Sequence, residues 1–280
     1  MIGVFDSGSG GLTVLSAATR IMPDHDFLYL GDHARAPYGE KSTDDIIAFT
    51  IEGVETLFNA GCNLVILACN TASAVALRHL QEHWLPDHYP TKRVLGVTVP
   101  MVEALTGLKW ERDITTTNAA PNHHVGVFAT RRTVESGTFE RQVKMRAPGY
   151  TITQQACPGL AKAIDDSADD ETQKRLVSDC VQRLLGEGTP DVVILGCTHY
   201  PLVEKTFRAA LPKGMKLLSQ PDIVAASLND YLNRHPELDK KTSPGSRRII
   251  CLTTGDPEKL ASPYEMVGGD LPDFTKLELA

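Results

Sequence analysis

One pattern occurs twice in this chain, first as Asn63-Leu64-Val65-Ile66-Leu67-Ala68-Cys69-Asn70-Thr71 and later as Asp191-Val192-Val193-Ile194-Leu195-Gly196-Cys197-Thr198-His199. Each copy has a continuous apolar run, a small residue, a cysteine and two hydrogen-bonding residues. Continuous apolar runs are typical of parallel strands that are buried on both faces. Residues 71–77 and Pro201 then favour the start of a helix. The repeat predicts two similar α/β halves that face each other. The alternative is two strands of one sheet that both end in cysteine.

The rest of the chain alternates in the same way. Short apolar runs predict strands at residues 2–5, 27–30, 64–68, 94–97, 125–128 and 192–195. Helical spacing predicts helices at 43–59, 72–83 and 172–185, and polar residues with proline predict loops at 110–124 and 243–246. Strands that alternate with helices indicate βαβ units, so we expect an α/β fold with mainly parallel sheets.

Composition limits the class of protein. The 280 residues are 42% hydrophobic and 22% charged, as in folded proteins, and the net charge of -7 argues against a broad nucleic-acid-binding surface. No apolar run is long enough to span a membrane, and the first residues lack the features of a signal peptide, so we expect a cytoplasmic protein. The six cysteines form no C-x-x-C pair, which favours free thiols over a zinc site or a disulfide framework.

The two repeated cysteines are the strongest candidates for chemistry. Ligands of open α/β sheets bind beyond the carboxyl ends of the strands, where Cys69 and Cys197 are expected to lie. A helix N-terminus lowers the pKa of a nearby thiol, and its free N–H groups bind carboxylates. Two acid–base groups are what inversion at a carbon centre requires, because one removes a proton and the other delivers one to the opposite face. The competing uses of two such cysteines are a disulfide, a nucleophile with a resolving thiol, and a metal site.

Three further segments carry polar residues to the ends of predicted strands. Asp6-Ser7-Gly8-Ser9-Gly10-Gly11 follows the first strand but has neither the G-x-G-x-x-G spacing nor a P-loop lysine, so a tight turn is favoured over a phosphate site. His199 is two residues from Cys197, where it either assists the thiol or is structural. Arg35-Ala36-Pro37-Tyr38-Gly39 predicts a loop that either presents backbone groups to a ligand or is a plain turn.

At these residues the sequence closely resembles the glutamate racemases, within the aspartate/glutamate racemase superfamily. The motifs that carry the resemblance run in family order along nearly the whole chain: Gly3-Val4-Phe5-Asp6-Ser7-Gly8, Gly31-Asp32 with Pro37-Tyr38-Gly39, Ala68-Cys69-Asn70-Thr71-Ala72-Ser73, and Leu195-Gly196-Cys197-Thr198-His199-Tyr200-Pro201. Thr133 with Ser136-Gly137, Ala156-Cys157-Pro158 and Thr253-Thr254-Gly255-Asp256-Pro257 agree more weakly. Ser73 and His199 favour glutamate over aspartate as the substrate.

The resemblance implies an active site in the cleft between two α/β domains, built from residues 1–98 with 208–280 and from residues 99–207. It implies an isomerase that needs neither pyridoxal phosphate nor a metal and that supplies D-glutamate for peptidoglycan. Cys69 would deprotonate the D-enantiomer and Cys197 the L-enantiomer, assisted by Asp6 and His199 respectively. The residues implied to hold glutamate are Asp6, Ser7, Tyr38, Gly39, Asn70, Thr71, Thr133, Thr198 and His199. A homodimer is one assembly state that the sequence leaves open, and no nucleic-acid or membrane partner is expected.

Three positions depart from the family pattern. Asp165 stands where the family commonly has a glutamate that supports the second cysteine, Val99 replaces an acidic residue before a proline, and Gln220 lies in a turn that usually contains aspartate. Two other classes of function stay open from the sequence. One is a maleate-isomerase-like enzyme that uses one cysteine as a nucleophile, and the other is a non-catalytic binding protein with a vestigial pocket.

Overall fold

The structure, a computed structural model, describes residues 1–109, 123–239, 241–242 and 246–277. Its strands are β1 (Ile2–Asp6), β2 (Phe27–Gly31), β3 (Leu64–Leu67), β4 (Arg93–Gly96), β5 (His124–Ala129), β6 (Thr151–Ala156), β7 (Val192–Gly196), β8 (Lys216–Leu218), β9 (Ile249–Thr253) and β10 (Phe274–Lys276). They form a six-stranded sheet in the order β10-β9-β2-β1-β3-β4 and a four-stranded sheet in the order β6-β5-β7-β8. Every described strand pairing is parallel, which confirms the predicted α/β class.

Helices connect the strands. They are α1 (Leu12–Ile21), α2 (Thr43–Asn59), α3 (Asn70–Val75), α4 (Leu77–His79), α5 (Leu85–His88), α6 (Thr98–Thr106), α7 (Arg131–Glu135), α8 (Thr138–Arg146), α9 (Leu160–Asp165), α10 (Asp170–Gly186), α11 (Glu204–Ala210), α12 (Gln220–Arg234) and α13 (Pro263–Val267). Short 3₁₀ helices lie at His33–Arg35, Tyr38–Glu40, Tyr200–Val203 and Pro257–Lys259, and a π-helix at Leu80–Trp84 joins α4 to α5.

The apolar strands are buried because helices cover both faces of each sheet. Successive residues of β1 point to opposite faces, so Val4 packs with α1 and α12 while Phe5 packs with α2 and α3. In the second sheet, Leu195 packs with α10 and α11, and Ile194 with α6 and α8. Two-sided burial explains why these strands are continuously apolar rather than alternating.

The six predicted strands match β1, β2, β3, β4, β5 and β7, and the predicted helices at 43–59 and 172–185 match α2 and α10. The single helix expected at 72–83 is instead a succession of short segments, α3, α4 and the π-helix. Four strands, β6, β8, β9 and β10, were not predicted from the sequence. Of these, β6 reads TITQQA and is half-exposed, whereas β8 and β10 have only three residues each. Most of the predicted loop at 110–124, and residues 243–245 of the other, lie outside the described residues, while His124 begins β5.

The division into domains remains a prediction, and the sheet pairing bears on its second boundary. β8 pairs with β7 in the four-stranded sheet, although it follows the expected boundary at 207/208. α12, which comes next, packs against α1 of the first half. We therefore propose that the second domain extends to about residue 218. No helix in the described parts of the chain is both long and apolar enough to cross a membrane.

Candidate active site

Cys69 follows β3 and is the N-cap residue of α3. Its sulfur accepts a hydrogen bond from the Ala72 backbone N–H at 3.4 Å and lies 3.4 Å from the Ser7 hydroxyl oxygen. The side chain is only 5% exposed. Burial and the charge of Asp6 raise the pKa of Cys69 to about 11, although both contacts favour the thiolate. The N-terminus of α3 thus lowers the pKa of this thiol as expected, but desolvation outweighs it, so the expectation of a useful thiolate fraction at neutral pH is wrong for Cys69.

Cys197 follows β7 in a different local setting. A 3₁₀ helix at Tyr200–Val203 follows, with His199 as its N-cap, so Cys197 does not cap an α-helix. The predicted helix starts only at Glu204, as α11. The sulfur of Cys197 instead lies 3.7 Å from Nδ1 of His199. The two cysteines therefore have different partners: a hydroxyl and a backbone amide for Cys69, and an imidazole for Cys197.

The imidazole of His199 contacts a carboxylate on its other side. Nε2 of His199 lies 2.9 Å from Oδ2 of Asp165, in a direction off the N–H axis. Burial lowers the pKa of His199, but the Asp165 carboxylate and the Cys197 sulfur together outweigh it, so the pKa lies well above its usual value. His199 in turn holds the pKa of Asp165 below its usual value in spite of burial. This arrangement favours a protonated imidazole beside Cys197.

Asp6 ends β1 and is fully buried between the two sheets. One carboxylate oxygen accepts from the Gly8 backbone N–H at 2.8 Å, and the other from the Thr198 hydroxyl at 3.1 Å. Burial raises the pKa of Asp6, despite the opposing effect of His199. Its hydrogen bonds thus lead to the residue next to Cys197 rather than to Cys69. The resemblance pairs Asp6 with Cys69, whereas the hydroxyl that contacts the Cys69 sulfur is that of Ser7.

The loop after β2 is held by the buried carboxylate of Asp32. It accepts hydrogen bonds from Arg35 Nε at 2.7 Å, the Tyr38 hydroxyl at 2.5 Å and the Thr254 hydroxyl at 2.7 Å. The ring of Tyr38 is 1% exposed and packs near Phe5 and Phe49. Because its hydroxyl is bound to Asp32, Tyr38 is better placed to act on a ligand through its backbone. Asp32 belongs to one of the family motifs, but no role was predicted for it from the sequence.

Three threonines meet where α3 approaches the start of α7. Oγ1 of Thr130 lies 2.9 Å from Oγ1 of Thr71 and 3.0 Å from Oγ1 of Thr133. Thr130 is also the N-cap of α7, since its side chain accepts from the Thr133 backbone N–H. These hydroxyl contacts connect the half of the molecule that contains the six-stranded sheet with the half that contains the four-stranded sheet.

A cavity of about 30 Å³ lies among these groups. Residues from both halves line it: Ser7, Gly8, Ala36, Pro37, Tyr38, Gly39, Cys69, Asn70, Thr71, Thr130, Ala161, Asp165, Cys197, Thr198 and His199. A larger cavity of about 360 Å³ shares Pro37, Gly39, Thr130 and Ala161 with it and is also lined by Arg131, Arg132 and Lys162. The smaller cavity, called the inner cavity below, has about the volume of one water molecule. An amino acid therefore enters it only if the cavity widens.

Most of the residues singled out from the sequence line the inner cavity. Asp6 and Thr133 do not line it and contact it through Thr198 and Thr71. The lining residues that were not named individually as site residues are Gly8, Ala36, Pro37, Thr130 and Ala161, of which Ala36 and Pro37 belong to the loop that was interpreted as either ligand-binding or a plain turn. A signal existed for Thr130, which directly follows a buried strand, as Cys197 does; Cys69 follows its strand after one intervening residue. The arrangement as a whole, two thiols from different sheets around one cavity with an imidazole and a carboxylate beside one of them, suits an enzyme that moves protons.

Comparison with known proteins agrees with that class. A family model described as Asp/Glu/Hydantoin racemase matches residues 13–228. A glutamate racemase of Roseobacter denitrificans is 48% identical over 265 residues, which cover 93% of each chain. A glutamate racemase isoform of Bacillus anthracis has a similar structure, with a TM-score of 0.84 at 29% identity over 100% of this chain and 97% of that one. For Escherichia coli glutamate racemase the TM-score is 0.74 at 26% identity, over 100% and 98%. The chain belongs to the Asp/Glu/hydantoin racemase family and is an isomerase.

Proposed function

We propose that this isomerase interconverts L-glutamate and D-glutamate by moving the α-proton between Cys69 and Cys197. The observation that carries the proposal is that both thiols line one small cavity, each from a different sheet. The relatives support the choice of substrate, because the similar proteins are glutamate racemases and the Escherichia coli one was solved in complex with L-glutamate.

In the proposed reaction one thiolate removes the α-proton while the opposite thiol donates its proton to the other face. Cys197 is assigned to L-glutamate and Cys69 to D-glutamate, following the family resemblance. Asp165 favours the protonated form of His199, whose Nδ1 lies 3.7 Å from the sulfur of Cys197, so the imidazole is placed to exchange a proton with that sulfur. Burial raises the pKa of Cys69, which favours its thiol form. The proton on Cys69 is the one delivered when L-glutamate is the substrate.

The groups around the cavity also suit a dicarboxylate whose carbanion must be stabilised. Ser7, Asn70, Thr71, Thr130 and Thr198, which carry hydroxyl or amide groups, line the same cavity. Donors that are already oriented stabilise the negative charge that develops on the α-carboxylate during proton removal. We assign Ser7, Tyr38, Gly39, Asn70, Thr71, Thr198 and His199 to substrate binding, with Asp6 and Thr133 behind them.

The product suggests the cellular role. D-glutamate is needed for peptidoglycan, and we propose that the enzyme supplies it in the cytoplasm. A strain dependent on this protein as its source of D-glutamate would stop growing when the protein is depleted, and added D-glutamate would restore growth. Growth arrest that D-glutamate does not relieve would contradict this role.

The test of activity is the circular dichroism of L-glutamate incubated with purified protein. A racemase abolishes the signal while the total glutamate concentration, measured by amino-acid analysis, stays constant. The same end point must be reached from D-glutamate. Loss of signal together with loss of glutamate would indicate a different reaction, and a constant signal would indicate a protein that binds without catalysis.

A further inference from the structure

Asn70 is paired with Gln220, one of the three positions that depart from the family pattern. Nδ2 of Asn70 donates to Oε1 of Gln220 at 2.7 Å, and Nε2 of Gln220 donates to Oδ1 of Asn70 at 2.7 Å. The two side chains are 2% and 0% exposed. Two reciprocal hydrogen bonds between planar amides close a ring, which fixes both the rotamer of Asn70 and the direction in which its oxygen and nitrogen point.

The pair leaves part of the Asn70 amide available to a ligand. A side-chain amide has two N–H groups and two acceptor positions, and Gln220 uses one of each. Asn70 lines the inner cavity next to Cys69, whereas Gln220 does not line it. Without Gln220 the buried amide of Asn70 would be free to rotate or to present its oxygen where its N–H now stands.

The position of Gln220 in the fold makes the contact specific. It is the first residue of α12, just after the chain leaves β8 of the second sheet, and α12 packs against α1 in the first half. Pro221 suits the first turn of a helix and restricts the backbone beside Gln220. The crossover from one sheet to the other is therefore bonded directly to a residue of the candidate active site.

We propose that Gln220 is a positioning residue, which holds the Asn70 amide so that its remaining N–H meets the bound substrate. The inference rests on the proposed function, since it concerns the same site. Loss of both hydrogen bonds should weaken the binding of substrate and transition state alike, and such a loss appears as a raised KM with little change in kcat.

Gln220→Met removes both hydrogen bonds and keeps a similar volume. We expect kcat/KM for glutamate to fall about tenfold, as for one or two buried neutral hydrogen bonds, and nearly all of the loss to lie in KM. Gln81→Met is the matched control. The Gln81 amide donates to a backbone oxygen at 2.8 Å in the same half but does not line the cavity, so its kinetics should match those of the unaltered enzyme.

Gln220→Glu gives a readout that a purely structural role would not produce. A protonated carboxyl group forms the same two hydrogen bonds to an amide, whereas a carboxylate repels Oδ1 of Asn70. Because Gln220 is fully buried, burial should raise the pKa of a carboxyl group at this position, so activity relative to the unaltered enzyme should recover as the pH falls towards that pKa, while that of Gln220→Met stays constant. This pH comparison also keeps the proposal testable if Gln220→Met does not fold.

A double variant tests the route through Asn70. In an Asn70→Ala background, Gln220→Met should add little to the loss, because the group that it positions is gone. Three results would each overturn the proposal. They are full additivity in the double variant, an unchanged KM in both Gln220 variants, and a loss of activity in Gln220→Glu that does not depend on pH. If the unaltered enzyme fails to racemise glutamate, the proposed function fails instead, so the two failures are distinguishable.

Discussion

Asp165 and Cys197 contact opposite nitrogens of one imidazole: Nε2 of His199 lies 2.9 Å from the Asp165 carboxylate, and Nδ1 lies 3.7 Å from the Cys197 sulfur. No corresponding cation contacts Cys69 among the described residues, where Ser7 and the Ala72 N–H take its place. The two halves of a mirror-image reaction are therefore supported by unlike groups. This asymmetry can be measured only in a reaction that uses one thiol at a time.

Racemisation itself hides such an asymmetry. Its equilibrium constant is one, so kcat/KM must be equal in both directions for every variant. Elimination of HCl from a 3-chloroglutamate is irreversible and avoids this constraint. A thiolate takes the α-proton, the electron pair forms the Cα–Cβ double bond, and chloride leaves from Cβ. In the proposed two-thiol mechanism, the L-analogue reports on Cys197 and the D-analogue on Cys69.

Asp165→Asn should slow elimination from the L-analogue by about 10- to 100-fold and elimination from the D-analogue by less than about threefold. The rate should fall because a neutral amide no longer holds the pKa of His199 above its usual value. The fall should be smaller than for loss of the base itself, because a supporting group contributes less than the general acid–base effect. Asp165→Glu, which restores the residue common in the family, keeps the charge and should retain most of the rate. Equal losses with both analogues would show that Asp165 does not act through His199 on Cys197.

The raised pKa of Cys69 predicts a strong pH dependence for the D-analogue. With a pKa of about 11, only about one molecule in a thousand carries the thiolate at pH 8. Because only the thiolate removes a proton, elimination by Cys197→Ser should rise about tenfold per pH unit between pH 7 and pH 10. The measurement is kcat/KM for the D-analogue across that range. A plateau beginning near pH 8 would mean that the thiol ionises far more easily than its burial implies.

Asp32→Asn should destabilise the protein by about 2–4 kcal/mol, because the buried carboxylate accepts three hydrogen bonds, one of them from an arginine. The loop that carries Pro37 and Gly39 should loosen as well, which raises KM. Tyr38→Phe is the milder companion, since it removes one donor and keeps the packed ring. Its cost should be about 1 kcal/mol, with activity within a few-fold of normal. Urea unfolding and steady-state kinetics measure both, and a severe loss of kcat in Tyr38→Phe would contradict a backbone role for Tyr38.

Cofactor independence is tested by treatment rather than by mutation. Protein dialysed against a chelator should keep its racemase activity, since proton transfer is assigned to thiols. Borohydride and hydroxylamine, which attack a pyridoxal imine, should also leave it active. An untreated sample dialysed in parallel controls for simple inactivation. Activity that is lost and then returns on addition of a metal ion or pyridoxal phosphate would contradict the two-thiol mechanism.

The sequence predicted those parts of the fold that depend on local pattern. Buried strands such as β3 and β7 are continuously apolar, and each places the cysteine that follows it at the carboxyl edge of its own sheet. The two cysteines meet because these two edges face the same cavity. The contact between Asn70 and Gln220 has no local signal, because the two residues are 150 positions apart and meet only through the packing of α12. The pKa of Cys69 was mispredicted for a similar reason: the helix N-terminus is visible in the sequence, but the depth of burial is not.

The most direct test of the central claim compares two single variants on the two chloro analogues. Cys69→Ser and Cys197→Ser should each nearly abolish racemisation, because a serine hydroxyl is a far weaker base than a thiolate. Cys69→Ser should still eliminate HCl from the L-analogue but not from the D-analogue, and Cys197→Ser should do the reverse. If either variant eliminates HCl equally well from both enantiomers, one base serves both faces and the assignment of Cys69 and Cys197 to opposite faces is wrong.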